Sequence, residues 1–172
     1  KASVEALIAA AKENGLEGLI AKDLHSPYQS GERTGVWAKY KIHQGQDLVI
    51  GGYLPGTPTF DALLVGYYEK DTLMFVGKIR NGFVPSVKAD VAKRFKGLQT
   101  TVCPFANLPE PKNARRGIAL RADVMKTCRW IKRELVAQVE FAEWTENNHL
   151  RHSRFVGLRD DKEALSVTRE GS

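Results

Sequence analysis

Cysteine is scarce in this sequence. Of 172 residues only Cys103 and Cys128 carry thiols, with no Cys-x-x-Cys and no Cys/His cluster, which argues against a structural zinc site and against a disulfide scaffold. That usage favours a reducing, cytosolic compartment. Long apolar runs are missing too. None approaches the ~20 residues of a membrane helix, so no membrane partner is expected. The first residues, Lys1-Ala2-Ser3-Val4-Glu5, hold neither an initiator Met nor a signal-peptide pattern, and the sequence is expected to be a piece of a longer chain. No repeat or low-complexity tract is present. With 42% apolar and 27% charged residues, the composition is that of a globular protein with one domain, or one domain and part of a second.

The charge that is present is unevenly spread. The net value is +6, yet residues 1–47 sum to zero, while residues 85–133 carry twelve basic side chains against Asp90, Glu110 and Asp123. Such a local excess suits contact with nucleic-acid phosphates, and it also suits a merely solubilising surface.

Ser3 and the stripe Val4, Leu7, Ile8, Ala11 predict a helix over 3–14, ended by Gly15. Leu16–Lys22 reads as a strand, and a polar loop runs from Asp23 to Gly35. Val36–Ile42 alternates strictly, which sets Trp37, Lys39 and Lys41 on one face with the two ammonium groups about 7 Å apart. Strands are expected over 48–53, 62–68 and 72–79, with Lys70-Asp71 at a hairpin turn. A helix opens at Ser86 with Val87, Val91, Phe95 and Leu98 inward. Residues 99–130 read as irregular, 134–144 as a strong strand, and 150–158 as a closing segment. Several strands around one helix fit a small Greek-key barrel.

Three stretches carry chemistry. In Glu17-Gly18-Leu19-Ile20-Ala21-Lys22, a carboxylate expected on a buried strand end needs a cation or partner, and the glycine beside it permits close approach of a ligand or another backbone. The second stretch runs from Ser26 through Arg33 and Trp37 to Lys39-Tyr40-Lys41. The third is Leu150-Arg151-His152-Ser153-Arg154-Phe155-Val156-Gly157-Leu158-Arg159-Asp160-Asp161-Lys162. Together they resemble nucleotidyltransferase motifs IV, V and VI of ATP-dependent DNA ligases. The approach to the third, Val139-Glu140-Phe141-Ala142-Glu143-Trp144-Thr145, is most similar to bacterial ligases of the non-homologous end-joining type.

The resemblance implies a mainly β chain with a few helices: residues 1–46 as the C-terminal remnant of an α/β adenylation domain, and 47–172 as an OB-fold barrel. Family ligases attack the α-phosphate of ATP with a lysine, pass AMP to a 5′-phosphate on nicked DNA, and seal with the 3′-hydroxyl. Glu17 falls on the metal-holding acid, for Mg²⁺ or Mn²⁺. Lys39 and Lys41 fall on the lysines that contact the AMP phosphate. Arg151, Arg154, Arg159, Asp161 and Lys162 fall on the group that orients the β- and γ-phosphates, with Arg159 and Lys162 foremost. Trp37 is read as packing, Asp160 as solvent-facing, and Tyr28 and Arg33 as structural or DNA-facing.

The family's nucleophilic Lys-x-Asp-Gly tetrapeptide is absent. Lys88-Ala89-Asp90 lacks the glycine and stands in the wrong order. The chain alone is therefore expected to be inactive in self-adenylation, its missing partner being the N-terminal part of the adenylation domain. The other expected partners are nicked or broken double-stranded DNA and end-joining repair proteins, in the bacterial cytosol or nucleoid. A stand-alone DNA-binding OB module, an RNA ligase and a capping-type nucleotidyltransferase remain as alternatives. Gly45–Asp47 is expected to form an interdomain connector, either a hinge or an ordinary turn.

Overall fold

The computed structural model describes residues 3–14, 16–22, 25, 37–114 and 117–170, with the side chain of Trp37 left aside. Gly15, Tyr28, Arg33, Val36, Arg115, Arg116 and most of the expected 23–35 loop lie outside the described residues. The chain divides into two units, 1–44 and 45–172.

In the first unit, α1 (Val4–Glu13) starts at Ser3, whose hydroxyl accepts the Ala6 N–H at 3.2 Å, as a capping serine does. Ala11 is buried, but Val4 and Leu7 are exposed, so only part of the expected stripe is covered. Among the described residues the helix packs against β1 (Gly18–Lys22), which pairs antiparallel with β2 (Trp37–Lys41), too narrow a ladder to cover all of it.

The second unit is mostly strand. β3 (Gln44–Pro55), β4 (Phe60–Glu69) and β5 (Thr72–Ile79) form a meander, and α2 (Pro85–Arg94), β6 (Gln99–Thr100) and the short α3 (Ala122–Met125) follow. Then come β7 (Arg129–Phe141), β8 (Glu143–Trp144), β9 (Leu150–Arg151), β10 (Arg154–Leu158) and a 3-10 turn at Ala164–Ser166. The main sheet runs β10-β7-β3-β4-β5, with β6 added on β7, while β8 and β9 pair separately. It curls until its edges meet at one parallel bridge, Asn81 to Arg154, with the Phe155 N–H donated to the Asn81 carbonyl at 2.8 Å. The result is an OB-like fold whose closure is a point and not a full ladder.

Leu48, Ile50, Leu63, Val65, Phe75, Ile131, Val139 and Phe141 fill the interior. α2 covers one end through Val91 and Phe95, the latter stacked on Tyr53 at 4.5 Å, while Val87 stays partly exposed. The 99–130 stretch is irregular apart from β6, α3 and the first two residues of β7, and it plugs the core with Phe105 and Leu120.

The bounds of two strands depart most from expectation. β7 starts five residues ahead of Glu134, because Lys132-Arg133-Glu134 interrupts the apolar signal while Trp130 and Ile131 ahead of it are buried. It ends at Phe141, and the chain bends at Ala142 before β8. β3 starts at Gln44, so Gly45, Gln46 and Asp47 are strand residues and no connector loop. Gln46 and Asp47 are buried there: Gln46 Oε1 accepts the Glu170 N–H at 3.3 Å, and Asp47 meets two cations described below. Their polarity is satisfied by residues from the far end of the chain.

Candidate functional site

Of the residues singled out in the sequence, three share the β1–β2 ladder. Its register pairs Gly18 with Lys41 and Ile20 with Lys39, so Lys39 and Lys41 rise from the same face, and both are exposed. Glu17 stands at the bend entering β1 and, against expectation, is exposed and not buried, so water can solvate its charge; its carbonyl accepts the Ile42 N–H at 3.0 Å. Among the described residues no ion pair joins Glu17 to either lysine. The need for glycine at position 18 is steric: a Cβ there would collide with the carbonyl oxygen of Tyr40. It is another backbone, from β2, that the missing side chain admits.

The third stretch begins in β9 and runs through β10 to the turn beyond. Arg151 pairs with Glu143 across β8–β9 at 2.7 Å, and Arg154 with Glu140 across β7–β10 at 2.8 Å. Both pairs lie on the surface, where solvent screening leaves them worth little. Asp160 is largely exposed, as expected, but it is not idle: Arg94 of α2 donates to it at 2.6 and 3.3 Å, holding its carboxyl below the ordinary value.

Arg159 is different. Its Nε and Nη2 form a fork on Asp161, each at 3.0 Å, and its Nη1 lies 3.3 Å from Asp47 Oδ1. Lys162 Nζ lies 3.5 Å from Asp47 Oδ2. The guanidinium hydrogen bonds pull the Asp161 carboxyl down to about 2, and the same carboxylate, with Asp47 next, raises Arg159. Two cations and two carboxylates thus make one cluster at the start of β3. Asp47 escapes sequence reasoning because Gln44-Gly45-Gln46-Asp47 reads as a polar turn. The available signal is a carboxylate set directly against Leu48-Val49-Ile50, where an unpaired charge would be costly.

The basic 85–133 stretch is partly neutralised. Lys93 pairs with Asp90, Arg94 with Asp160, and Arg121 with Asp123, while Lys88 lies over the Phe60 ring and Arg133 over Tyr68. Lys96, Lys112, Lys126, Arg129 and Lys132 are exposed and make no ion pair among the described residues. A further cleft, about 880 Å³, is lined by Glu110, Trp144, His149 and Arg151 among others. In it His149 Nε2 lies 2.5 Å from Glu110 Oε1 without the alignment of a hydrogen bond, and Glu110 Oε2 accepts the Leu120 N–H.

The family model described as "ATP dependent DNA ligase C terminal region" matches residues 56–162, and the "ATP dependent DNA ligase domain" model matches residues 1–41. The chain belongs to the ATP-dependent DNA ligase family. This ligase chain is 34% identical over 166 residues to the multifunctional non-homologous end joining DNA repair protein LigD of Mycobacterium tuberculosis, covering 94% of itself and 20% of that protein. Against the crystal structure of the ligase domain from M. tuberculosis LigD, it has a TM-score of 0.66 and 32% identity, covering 99% of itself and 53% of that chain. A mycobacterial DNA ligase D complexed with ATP and MES gives a TM-score of 0.64 at 32% identity, with 99% and 52% coverage. The chain therefore spans about a fifth of the length of the curated relatives it matches and about half of the solved ligase domains.

Proposed function

We propose that this chain is the C-terminal part of the ligase domain of a bacterial end-joining DNA ligase, which seals nicks and breaks through lysyl-AMP and DNA-adenylate intermediates. Residues 1–46 are assigned to the end of the adenylation domain and 47–172 to the OB domain. The chain supplies phosphate, metal and DNA contacts, and the nucleophilic lysine belongs to the part of the adenylation domain absent from this sequence. The observation that carries the reading is the pair Lys39 and Lys41 on one exposed strand face, across the ladder from Ile20 and Gly18 of the strand that Glu17 enters.

Adenylyl transfer is mostly positioning and charge neutralisation, which two ammonium groups on one rigid strand supply to the AMP phosphate. Glu17 is a lone carboxylate, and no group of three His, Cys, Asp or Glu side chains suited to a metal occurs among the described residues. That donor set fits Mg²⁺ or Mn²⁺ held by one carboxylate and completed by nucleotide phosphates and water, where it would neutralise phosphate charge. Arg159 and Lys162 orient the β- and γ-phosphates through charge-assisted hydrogen bonds, and Asp161 holds the guanidinium in its plane until phosphate arrives. Arg151 and Arg154, each paired to a surface glutamate, are auxiliary contacts. The unpaired Lys96, Lys126, Arg129 and Lys132 grip the DNA backbone, so affinity should fall steeply with salt. This work is done in the bacterial cytosol beside the nucleoid, with end-joining proteins as partners.

The test is lysyl-AMP formation. In the full-length ligase, Lys39→Ala or Lys41→Ala should slow it by about 100-fold or more, as loss of one preorganised electrostatic contact does. The 172-residue chain alone should form no covalent AMP adduct. A gel-stable radiolabelled adduct on this chain, or wild-type adenylation by both lysine variants, would sink the reading.

A further inference from the structure

Asp47 has no part in the reaction just described, yet its surroundings are unusual. Its side chain is 10% exposed at the head of β3, and it meets two cations from more than a hundred residues later: Arg159 Nη1 at 3.3 Å and Lys162 Nζ at 3.5 Å. A carboxylate buried to this degree persists where cations compensate it. Here the compensating groups are the two side chains assigned to the triphosphate.

The backbone reinforces the arrangement. Arg159 donates its N–H to the Val136 carbonyl at 2.8 Å, which fastens the segment to β7, and the Lys162 N–H turns back to the Arg159 carbonyl at 3.3 Å. Both side chains then converge on one carboxylate of a neighbouring strand. The other edge of the guanidinium is covered by Asp161, which is 68% exposed. Arg159 is thus fixed from within by a buried carboxylate on a strand and covered from without by an exposed one that a phosphate group can replace.

We infer that Asp47 is a positioning residue for the self-adenylation step, holding Arg159 and Lys162 at a preset spacing for the β- and γ-phosphates of a nucleoside triphosphate. The inference rests on the roles proposed above for those two cations. Arginine and lysine lose rotamer freedom when they clasp a phosphate, and a carboxylate that has already ordered them removes that loss before the nucleotide binds. A residue acting this way affects only the step in which the triphosphate is held.

The experiment compares two reactions of the full-length ligase: lysyl-AMP formation over a range of ATP concentrations, and sealing of a pre-adenylated nick, which needs no ATP. Asp47→Asn should raise the ATP KM by about fivefold or more and slow adenylation at low ATP by about tenfold, leaving pre-adenylated sealing within about twofold. Equal losses in both reactions, or unchanged adenylation, overturn the inference. If Asp47→Asn is unfolded at the assay temperature, Asp47→Glu replaces it. The extra methylene displaces both cations, the same split is expected, and a wild-type ATP KM overturns the inference. Arg159→Ala separates the two levels. If that variant adenylates normally, the triphosphate reading itself fails. If it is crippled while the Asp47 variants are not, only the positioning role fails.

Discussion

Gly82 lies so close to Phe155 that a methyl group on the glycine would run into the phenylalanine's carbonyl oxygen and crowd its amide nitrogen. The contact stands where the two edges of the main sheet meet, one residue beyond the Asn81–Arg154 bridge. Gly82 also has φ +93°, a backbone conformation that side-chain-bearing residues avoid. Gly82→Ala should therefore destabilise the chain by about 3 kcal/mol, combining backbone strain with the forced separation of the edges. Urea unfolding measures this, and a loss under about 0.5 kcal/mol would mean the closure point is not structural.

The buried Glu110–His149 contact differs in kind from the surface pairs of Arg151 and Arg154. Both of its side chains are about nine-tenths buried, and Glu110 also receives the Leu120 N–H. Glu110→Ala should cost about 3 kcal/mol, because it orphans the buried Leu120 amide and removes the carboxylate packed against a buried imidazole. Glu143→Ala and Glu140→Ala, which free only exposed arginines, should each cost less than about 1 kcal/mol. Comparable losses in all three variants would contradict this ranking.

Acid should spare the Arg159–Asp161 fork longer than an ordinary aspartate contact. The Asp161 carboxyl is held at about 2 against an ordinary 3.8, first by the Arg159 hydrogen bonds. A depressed folded-state value contributes stability that is present above the unfolded pKa and is lost as pH falls through the folded one, so the loss falls between about pH 4 and pH 2. Carboxyl NMR titration should show Asp161 charged at pH 3, and Arg159→Gln should return its midpoint toward 3.8. A wild-type midpoint near 3.8 contradicts the fork.

Both thiols should resist alkylation in the native state. Burial pushes Cys128 up to about 11, with the neighbouring Cys103 adding to it, and burial raises the half-buried Cys103 as well. At pH 8 a thiol reagent should modify the folded chain more slowly than the urea-unfolded chain, with Cys128 last. Equal rates in the two states would contradict the burial.

Much of this molecule is local and therefore readable along the chain. A pleat of period two suffices to set Lys39 and Lys41 on one face, whatever surrounds them. The β5 strand over 72–79, the two-residue turn at Lys70-Asp71 and the inward Val91 and Phe95 of α2 follow from the same kind of pattern. Where the signal failed, charge interrupted it: Lys132-Arg133-Glu134 concealed the start of β7, and Gln44–Asp47 looked like a connector because its polar side chains find their partners more than a hundred residues away.

The sequence by itself determined the chemical inventory and the strand faces, because motif residues and period-two alternation need only their neighbours. Tertiary structure alone decided that Arg159 and Lys162 share one buried carboxylate, that Arg151 and Arg154 pair with surface glutamates, and that the sheet closes at Gly82. Those outcomes depend on which distant groups share space, and a buried charge accepts whichever partner the fold delivers to it.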